Sequence, residues 1–385
     1  MNFEFATSNR FIFGPGKFQE TGTLIQPMGS RALIASGLSD ELTDSLLDQL
    51  SKAGIKFQVF HISKEPTVPL VQAGVSHARK FGCDLVIGFG GGSAVDSGKA
   101  IAALASNPGV PLDYLEVIGK GQPLIHPPLT FIAIPTTAGT GAEVTRNAVL
   151  ASIEQCVKVS LRSPMMLPKL AIVDPELTLS MPPLVTASTG LDSLTQCIEP
   201  FTSGLANPLT DGICREGIHY AARSLRQVFE HSDDLSARTD MSLASLFGGL
   251  ALANAKLGAV HGFAGPLGGM YPTAPHGVIC GRLLPFVVET NVQALQFREP
   301  ENPALARFDE VAQILTGNPG AKAAEGVAWI QDLAGFLNVA PLSDFGITEN
   351  DFPFIIEKAQ RASSMKGNPI RLTDNELLQI LALAI

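Results

Sequence analysis

The first half of the chain alternates short apolar runs with amphipathic segments of helical period. The apolar runs are RALIAS, KFQVFHI, DLVIGFG and LTFIAIP, and the helical segments include SDELTDSLLDQLSKAG and VQAGVSHARKFG. This alternation predicts a mostly parallel β-sheet with covering helices. Because strands such as LVIGF are apolar without interruption, both faces of the sheet are expected to be buried. VKVSL and LAIVD are two further candidate strands.

The pattern changes after Asp174 and Pro175, where apolar residues recur with a spacing near 3.6 and alternating runs almost disappear. The second half is therefore predicted to be all-helical. Residues that favour helix N-termini precede its segments: Thr186, Ser188, Asn207 with Pro208, and Ser236. We therefore predict two domains, an α/β domain over residues 1–177 and an all-α domain over residues 178–385.

Composition excludes several classes of protein. The 385 residues include 37 Gly and 27 Pro, 45% are hydrophobic, and only 16% are charged, as in a folded enzyme. The net charge is −9 without a basic stripe, so nucleic acid is not an expected partner. The N-terminus lacks a long apolar core, so neither a signal peptide nor a membrane span is predicted. Five cysteines without a CxxC pair indicate reduced thiols in the cytoplasm.

A run of glycines suggests a site for an anion. Gly90, Gly91, Gly92 and Ser93 follow the strand DLVIG and precede the helical segment SAVDSGKAIAAL. A helix N-terminus directs backbone N–H groups at an anion such as a pyrophosphate. The spacing is not the GxGxxG of a Rossmann fold, and an ordinary tight turn is the alternative.

A second loop, IPTTAGTGAEVT, also follows an apolar strand and is rich in Gly and Thr. Thr136, Thr137, Thr140 and Thr145 can donate hydrogen bonds where the glycines let a ligand approach. Two such loops on one sheet suggest a single ligand crevice. A Thr-rich turn without a ligand is the alternative.

Four residues of the second half could form a metal site. Asp192 and Gln196 are four residues apart and face the same side of a helix, and His261 and His276 lie in Gly- and Pro-rich segments. Carboxylate and imidazole groups bind divalent metals, and Gln196 is the candidate fourth ligand. Because an amide oxygen is a weaker donor than imidazole, such a metal would bind weakly or be absent. Two structural histidines are the alternative.

Several motifs in order resemble those of the iron-containing (group III) alcohol dehydrogenase family. They are FIFGPG, GFGGGSAVDSGKA, IPTTAGTGAEVT, LAIVDPELT, GLDSLTQCIE, VHGFAGPLGG and PHGVICGRLLP, and they cover nearly the whole chain. The resemblance implies an α/β domain that binds NAD or NADP and an all-helical domain, with a metal and the substrate between them. Dehydroquinate synthase-like proteins share this architecture.

The resemblance also implies roles for residues of the first domain. The pyrophosphate would lie on Gly90 to Ser93, and Asp96, on the helix that begins there, is a further cofactor-binding residue. Contacts to the ribose and nicotinamide would come from three threonines and a lysine: Thr136, Thr137, Thr140 and Lys158. Members that prefer NAD usually carry an Asp after the first strand, where this chain has Gly37, so NADP or dual use is expected.

The family's metal ligands, an Asp and three His, fall on Asp192, Gln196, His261 and His276, so Gln196 departs from the pattern. A further family histidine at the substrate falls on Gly265, a second departure. His261 and His276 are therefore the candidate catalytic residues.

The activity implied is reversible hydride transfer between a small alcohol and an aldehyde or ketone, assisted by Fe²⁺ or Zn²⁺. A metal-independent NAD(P)H carbonyl reductase, similar to maleylacetate reductases, is the first alternative. A dehydroquinate synthase-like lyase is less favoured, because few Lys or Arg residues cluster near the ligand positions. A catalytically silent cofactor-binding protein is the third alternative. The low charge and the sheet edge predict a homodimer.

Overall fold

The computed structural model describes residues 2–38, 40–63 and 65–385, and it divides them into two compact units. The α/β unit comprises Thr7–Thr137 and Gly141–Leu179. The helical unit comprises Ser180–Ile385, and the segment Ala138–Thr140 and the residues up to Ala6 group with it. The predicted boundary at 177/178 lies two residues before the change at Leu179, but the prediction placed residues 1–6 and 138–140 in the first domain.

The α/β unit contains a six-stranded parallel sheet of order β1-β8-β5-β4-β2-β3 and a separate antiparallel pair, β6 and β7. The strands are β1 Phe11–Phe13, β2 Arg31–Ser36, β3 Lys56–His61, β4 Leu85–Gly90, β5 Thr130–Pro135, β6 Asn147–Ser152, β7 Val157–Arg162 and β8 Leu170–Val173. The helices are α1 Thr21–Ile25, α2 Asp40–Lys52, α3 Val68–Phe81, α4 Gly92–Ala105 and α5 Pro111–Tyr114.

Alternate residues of the central strands enter two different apolar clusters. On β2, Leu33 packs in one cluster, whereas Ala32 and Ile34 pack in the other. The prediction of a sheet buried on both faces is therefore confirmed. VKVSL is a strand, as expected, but as β7 it pairs with β6 and not with the parallel sheet.

The order of the strands creates a crevice at the carboxyl ends of β2 and β4. The chain passes from β2 to β3 on one side and then to β4 on the other side of β2. Ligands of open α/β sheets bind at the carboxyl ends of strands where the order reverses in this way. Gly37 follows β2, and Gly90 ends β4, so the glycine run lies at this point. Helix α4 packs tightly there, because a Cβ on Gly98 would lie 3.1 Å from the Cα of Gly88.

The helical unit has no strand within residues 180–385, all of which are described. Its helices are α6 Pro183–Thr202, α7 Pro208–Glu230, α8 Leu235–Ala255, α9 Ala259–Met270, α10 His276–Arg298, α11 Ala304–Thr316, α12 Ala323–Phe336, α13 Phe352–Arg361 and α14 Asp374–Ala384. α6 packs against α7, α8 and α10, and every residue from 190 to 202 is buried. A polar side chain on this part of α6 must therefore find a partner inside the protein.

Two of the three predicted helix starts are displaced. α6 begins at Pro183, whose fixed φ suits the first turn, so Thr186 and Ser188 lie inside the helix. α8 begins at Leu235 because the Asp234 carboxylate, not Ser236, caps it by accepting from the N–H of Ala237. The start of α7 is confirmed, with Asn207 as the N-cap.

α10 is long and apolar enough to span a membrane by length and composition alone. Within the helical unit, 67% of the most apolar 18-residue stretch of α10 is buried. α8 and α9 pass the same test only as a pair, and they meet at a bend of 100°. Such burial is typical of the core helices of a globular domain.

Candidate functional site

Three helices of the helical unit bring four metal-binding side chains together. α6 provides Asp192, α9 provides His261, and α10 provides His276 in its first turn and Cys280 one turn later. One ligand atom from each lies within 4.8 Å of the other three. Asp192 Oδ1 is 3.1 Å from Nε2 of His261 and 3.8 Å from Nε2 of His276. Three of the four predicted ligands therefore converge.

His261 lies between two carboxylates. Its Nδ1 is 2.6 Å from Oε2 of Glu199, and its Nε2 is 3.1 Å from Oδ1 of Asp192. A neutral imidazole carries one N–H, so it can donate to only one of these oxygens. A proton donated to Glu199 leaves the lone pair of Nε2 facing Asp192, an arrangement that requires a second proton or a cation. A histidine that donates to a carboxylate from its other nitrogen is common at metal sites.

Gln196 has an oriented amide and a free oxygen. Its Nε2 donates to the carbonyl oxygen of Gly139 over 3.2 Å. Its Oε1 is buried and has no hydrogen-bond partner among the described residues. A buried acceptor without a partner costs free energy, and a cation or a donor group of a ligand would satisfy it. The residues present therefore fit a divalent metal ion.

The ionisation of the cluster also favours a cation. Burial alone would raise the pKa of Asp192, but the nearby His276, His261 and Gln196 outweigh burial and lower it. Burial alone would lower the pKa of both histidines, but their interactions with Cys280 and Asp192 outweigh burial and raise it. Since histidine must lose a proton to bind a metal, acid is expected to compete with the ion.

Glu199 and Cys280 were missed by sequence reasoning. Glu199 lies seven residues after Asp192 on a mostly apolar helix, so it shares the face of Asp192 and Gln196. Cys280 follows His276 by four residues, again one turn away on the same face. Helical spacing from the predicted ligands could have identified both residues.

The second departure from the family pattern, Gly265, faces open space. A Cβ built on it would meet no atom within 4 Å among the described residues. His276 is partly accessible, with 34% of its side chain exposed against 7% for His261. Of the two histidines, His276 can therefore exchange protons with water more readily.

The glycine run forms the N-terminus of α4 in the α/β unit. Gly90 has a φ of +143°, which L side chains rarely adopt, and Gly91 is the N-cap residue without a side chain to occupy the first N–H groups. A cavity of about 250 Å³ opens here. Its lining includes the ends of β2, β3 and β4: Gly37, Leu38, Ile62, Ser63, Glu65, Gly90, Gly91, Ser93 and Ala94.

Two other predicted cofactor residues lie at or beside this cavity. A side chain on Gly37 would collide with the carbonyl oxygen of Ile62, so the position cannot carry the Asp of the family pattern without a backbone shift. The Nζ of Lys158 is 2.9 Å from Oε2 of Glu65, which lines the cavity. The side chain of Lys158 is only 8% exposed, and that of Glu65 is half exposed.

The threonines of the second loop divide between the two units. The N–H of Thr136 donates to the carbonyl oxygen of Gly90, and the side chain of Thr137 lies beside Gly91. Both threonines thus border the glycine run. Thr140 belongs to the helical unit, and Thr145 is buried where its hydroxyl accepts from Lys99.

Asp96 lies on α4 and has two structural partners. Its Oδ2 accepts from the N–H of Val149 on β6, and its Oδ1 is 3.9 Å from Nζ of Lys99. Burial raises the pKa of Asp96 to about 6, although Lys99 opposes the shift. These contacts join α4 to the antiparallel pair, and a contact between Asp96 and the cofactor stays a prediction.

Comparison with known proteins covers both units. The family described as iron-containing alcohol dehydrogenase matches residues 8–175, and the C-terminal part of the same family matches residues 186–385. The chain is 35% identical to the 1,3-propanediol dehydrogenase of Klebsiella pneumoniae over 98% of this chain and 97% of that protein.

Solved structures agree with this assignment. A 1,3-propanediol oxidoreductase has a TM-score of 0.92 and 34% identity over the full length of both chains. The sulfoacetaldehyde reductase of Bifidobacterium kashiwanohense, solved with NAD⁺, has a TM-score of 0.86 and 28% identity over 100% of this chain and 99% of that one. The chain therefore belongs to the iron-containing alcohol dehydrogenase family, whose members are NAD-dependent oxidoreductases that interconvert alcohols and aldehydes.

Proposed function

We propose that this enzyme interconverts a small alcohol and its aldehyde or ketone by metal-assisted hydride transfer, with the ion held by Asp192, His261 and His276. The observation that carries the proposal is the convergence of these three side chains beside the unpartnered Oε1 of Gln196. When bound, a divalent ion polarises the substrate oxygen and stabilises negative charge on it. Hydride transfer itself is the chemistry of the nicotinamide.

The chain's own residues position the site and move a proton. Glu199 fixes the ring of His261 through Nδ1, so Nε2 faces Asp192. Gly265 offers no imidazole, so the hydroxyl proton of an alcohol must leave through water, a ribose hydroxyl or the partly exposed His276. The unpartnered Oε1 of Gln196 is available to accept a hydrogen bond from a water or a substrate hydroxyl group, or to contact the ion.

The principal alternative is a metal-independent reductase in which the histidines donate hydrogen bonds to the carbonyl. Dialysis against a chelator distinguishes the two mechanisms. We expect aldehyde-dependent oxidation of NADH to disappear with the metal and to return when Fe²⁺ or Zn²⁺ is added, with metal content measured by mass spectrometry. Undiminished activity in a metal-free preparation would favour the alternative. Cofactor binding without turnover of any aldehyde, even after metal addition, would indicate a silent protein.

The cavity at the ends of β2 and β4 is the proposed site of the dinucleotide. Its pyrophosphate would accept N–H donors from the first turn of α4, while Thr136 and Thr137 border the same turn. Because Gly37 presents no carboxylate to the 2′ position of the adenosine ribose, we propose that NADH and NADPH are both accepted. Glu65 is then the acidic group of the lining, and Lys158 neutralises it.

Charge changes at this pair should alter the preference between the two cofactors. For Glu65→Gln, we expect the ratio of kcat/KM for NADPH to that for NADH to rise about two- to fivefold, because the Lys158 ammonium loses its partner. Lys158→Gln should lower the ratio. Steady-state kinetics with both cofactors provides the measurement. An unchanged ratio in both variants would place the 2′ position elsewhere.

Two of the relatives reported above support a proposal for the substrate class. The names of two of them specify 1,3-propanediol and sulfoacetaldehyde, both small molecules with a terminal oxygen function. We propose a short alcohol or aldehyde for this chain, and a panel of such compounds assayed with NADH tests the class. We further propose that the protein is a cytoplasmic homodimer without a nucleic-acid or membrane partner. Light scattering in solution would measure the mass of the dimer.

A further inference from the structure

Cys280 completes the cluster of metal-binding side chains. It is buried on α10, one turn after His276, and its Sγ lies 3.8 Å from Nε2 of His261. Sγ is also within 4.8 Å of the ligand atoms of Asp192 and His276. The sulfur therefore borders the same small space as the ligand atoms of the three proposed metal ligands.

Three distances in the cluster are close to those between the ligands of one tetrahedral ion. Bonds of about 2.0–2.1 Å to nitrogen and oxygen and about 2.3 Å to sulfur separate tetrahedral ligand atoms by about 3.3–3.6 Å. Three of the six separations in the cluster are 3.1 Å for Asp192 to His261, 3.8 Å for Asp192 to His276 and 3.8 Å for Cys280 to His261, and the other three are at most 4.8 Å. Side-chain movements of up to about 1 Å would bring these four atoms around one ion.

The other buried thiols in the helical unit have different surroundings. Cys197 and Cys214 share the apolar core with Cys280, and burial raises the pKa of these two thiols well above the usual value. Neither belongs to a cluster of metal-binding groups among the described residues. Their position is that of inert core cysteines, and they supply matched controls for Cys280.

We propose that the Cys280 thiolate is the fourth protein ligand of the metal, so that this chain binds its ion through one carboxylate, two imidazoles and one sulfur. The inference rests on the metal site of the proposed function. On binding, the thiol proton is released to water as the sulfur–metal bond forms. A set of thiolate, imidazole and carboxylate ligands suits zinc or cobalt, and the substrate oxygen would then approach the ion as a fifth ligand. The substitution of an imidazole by Gln196 is thus compensated by sulfur from α10.

Cobalt(II) tests the inference, because sulfur coordination produces a thiolate-to-cobalt charge-transfer band in the near ultraviolet. We expect the metal-free full-length protein to develop this band on titration with Co²⁺. Cys280→Ala should lose the band and bind Co²⁺ and Zn²⁺ about tenfold more weakly or worse, as measured by competition with a chromophoric chelator. Cys214→Ala should retain both the band and the affinity.

Cobalt binding to the wild type without the charge-transfer band would overturn the inference while leaving the proposed metal site in place. Failure of the wild type to bind Co²⁺ or Zn²⁺ at all would overturn the metal site as well. If Cys280→Ala does not fold, a variant with the other four cysteines changed to alanine decides the origin of the band. The band should persist there, and its loss would assign it to another thiol.

Discussion

Replacing Asp192 with asparagine should remove the metal and lower kcat/KM about 100- to 1000-fold, the range found when one electrostatic stabiliser of a transition state is lost. Asparagine keeps the shape of the side chain but carries no charge. Asp192 is the carboxylate that approaches both His261 and His276, at 3.1 and 3.8 Å. The loss of this charge therefore weakens binding of the ion and also removes the group that orients both imidazoles.

The measurement combines metal content with aldehyde-dependent NADH oxidation. Asp240→Asn is the matched control, because Asp240 is also a largely buried carboxylate of the helical unit but pairs with Arg223 and Ser224. That control is expected to lose some thermal stability and to retain metal. If Asp192→Asn kept both its metal and its activity, Asp192 would not be a ligand.

The positions of the main site residues could be predicted because each depends on local spacing. Asp192 and Gln196 share a helix face at any packing of α6, and the glycine run must begin α4 because a strand precedes it and a helix follows. Cys280 was counted only among the reduced thiols, although its spacing from His276 places it on the same face of α10. Its approach to Asp192 and His261 depends on where α10 meets α6 and α9, which is a property of tertiary packing.

The same limit explains the errors in the fold. VKVSL has the composition of a strand of the parallel sheet, but it pairs antiparallel with β6, which directly precedes it, and Val149 N–H of β6 donates to Asp96 of α4. The loop after β5 was predicted as one cofactor element. Ala138 and Gly139 instead accept hydrogen bonds from Ser193 and Gln196 of α6, which groups them with the helical unit.

An aspartate at Gly91 should separate stability from cofactor binding. Gly91 is the N-cap residue of α4 with an extended backbone and no side-chain cap, and aspartate is among the best N-cap residues. The melting temperature of Gly91→Asp should therefore be unchanged or slightly raised. Its carboxylate, however, would occupy the N–H groups proposed for the pyrophosphate. At about 5 Å, repulsion amounts to roughly 3 kcal/mol per phosphate charge at an effective dielectric constant near 20, so the Kd for NADH should rise about 100-fold or more.

Gly91→Asn is the isosteric control, because asparagine caps a helix as well as aspartate but adds no charge. Its melting temperature should match that of Gly91→Asp, whereas its affinity for NADH should be intermediate. Fluorescence titration with NADH and thermal unfolding measure the two properties on the same samples. Wild-type affinity in both variants would show that the pyrophosphate does not lie at the N-terminus of α4. Equal losses in both would assign the effect to side-chain volume beside Thr137 and not to charge.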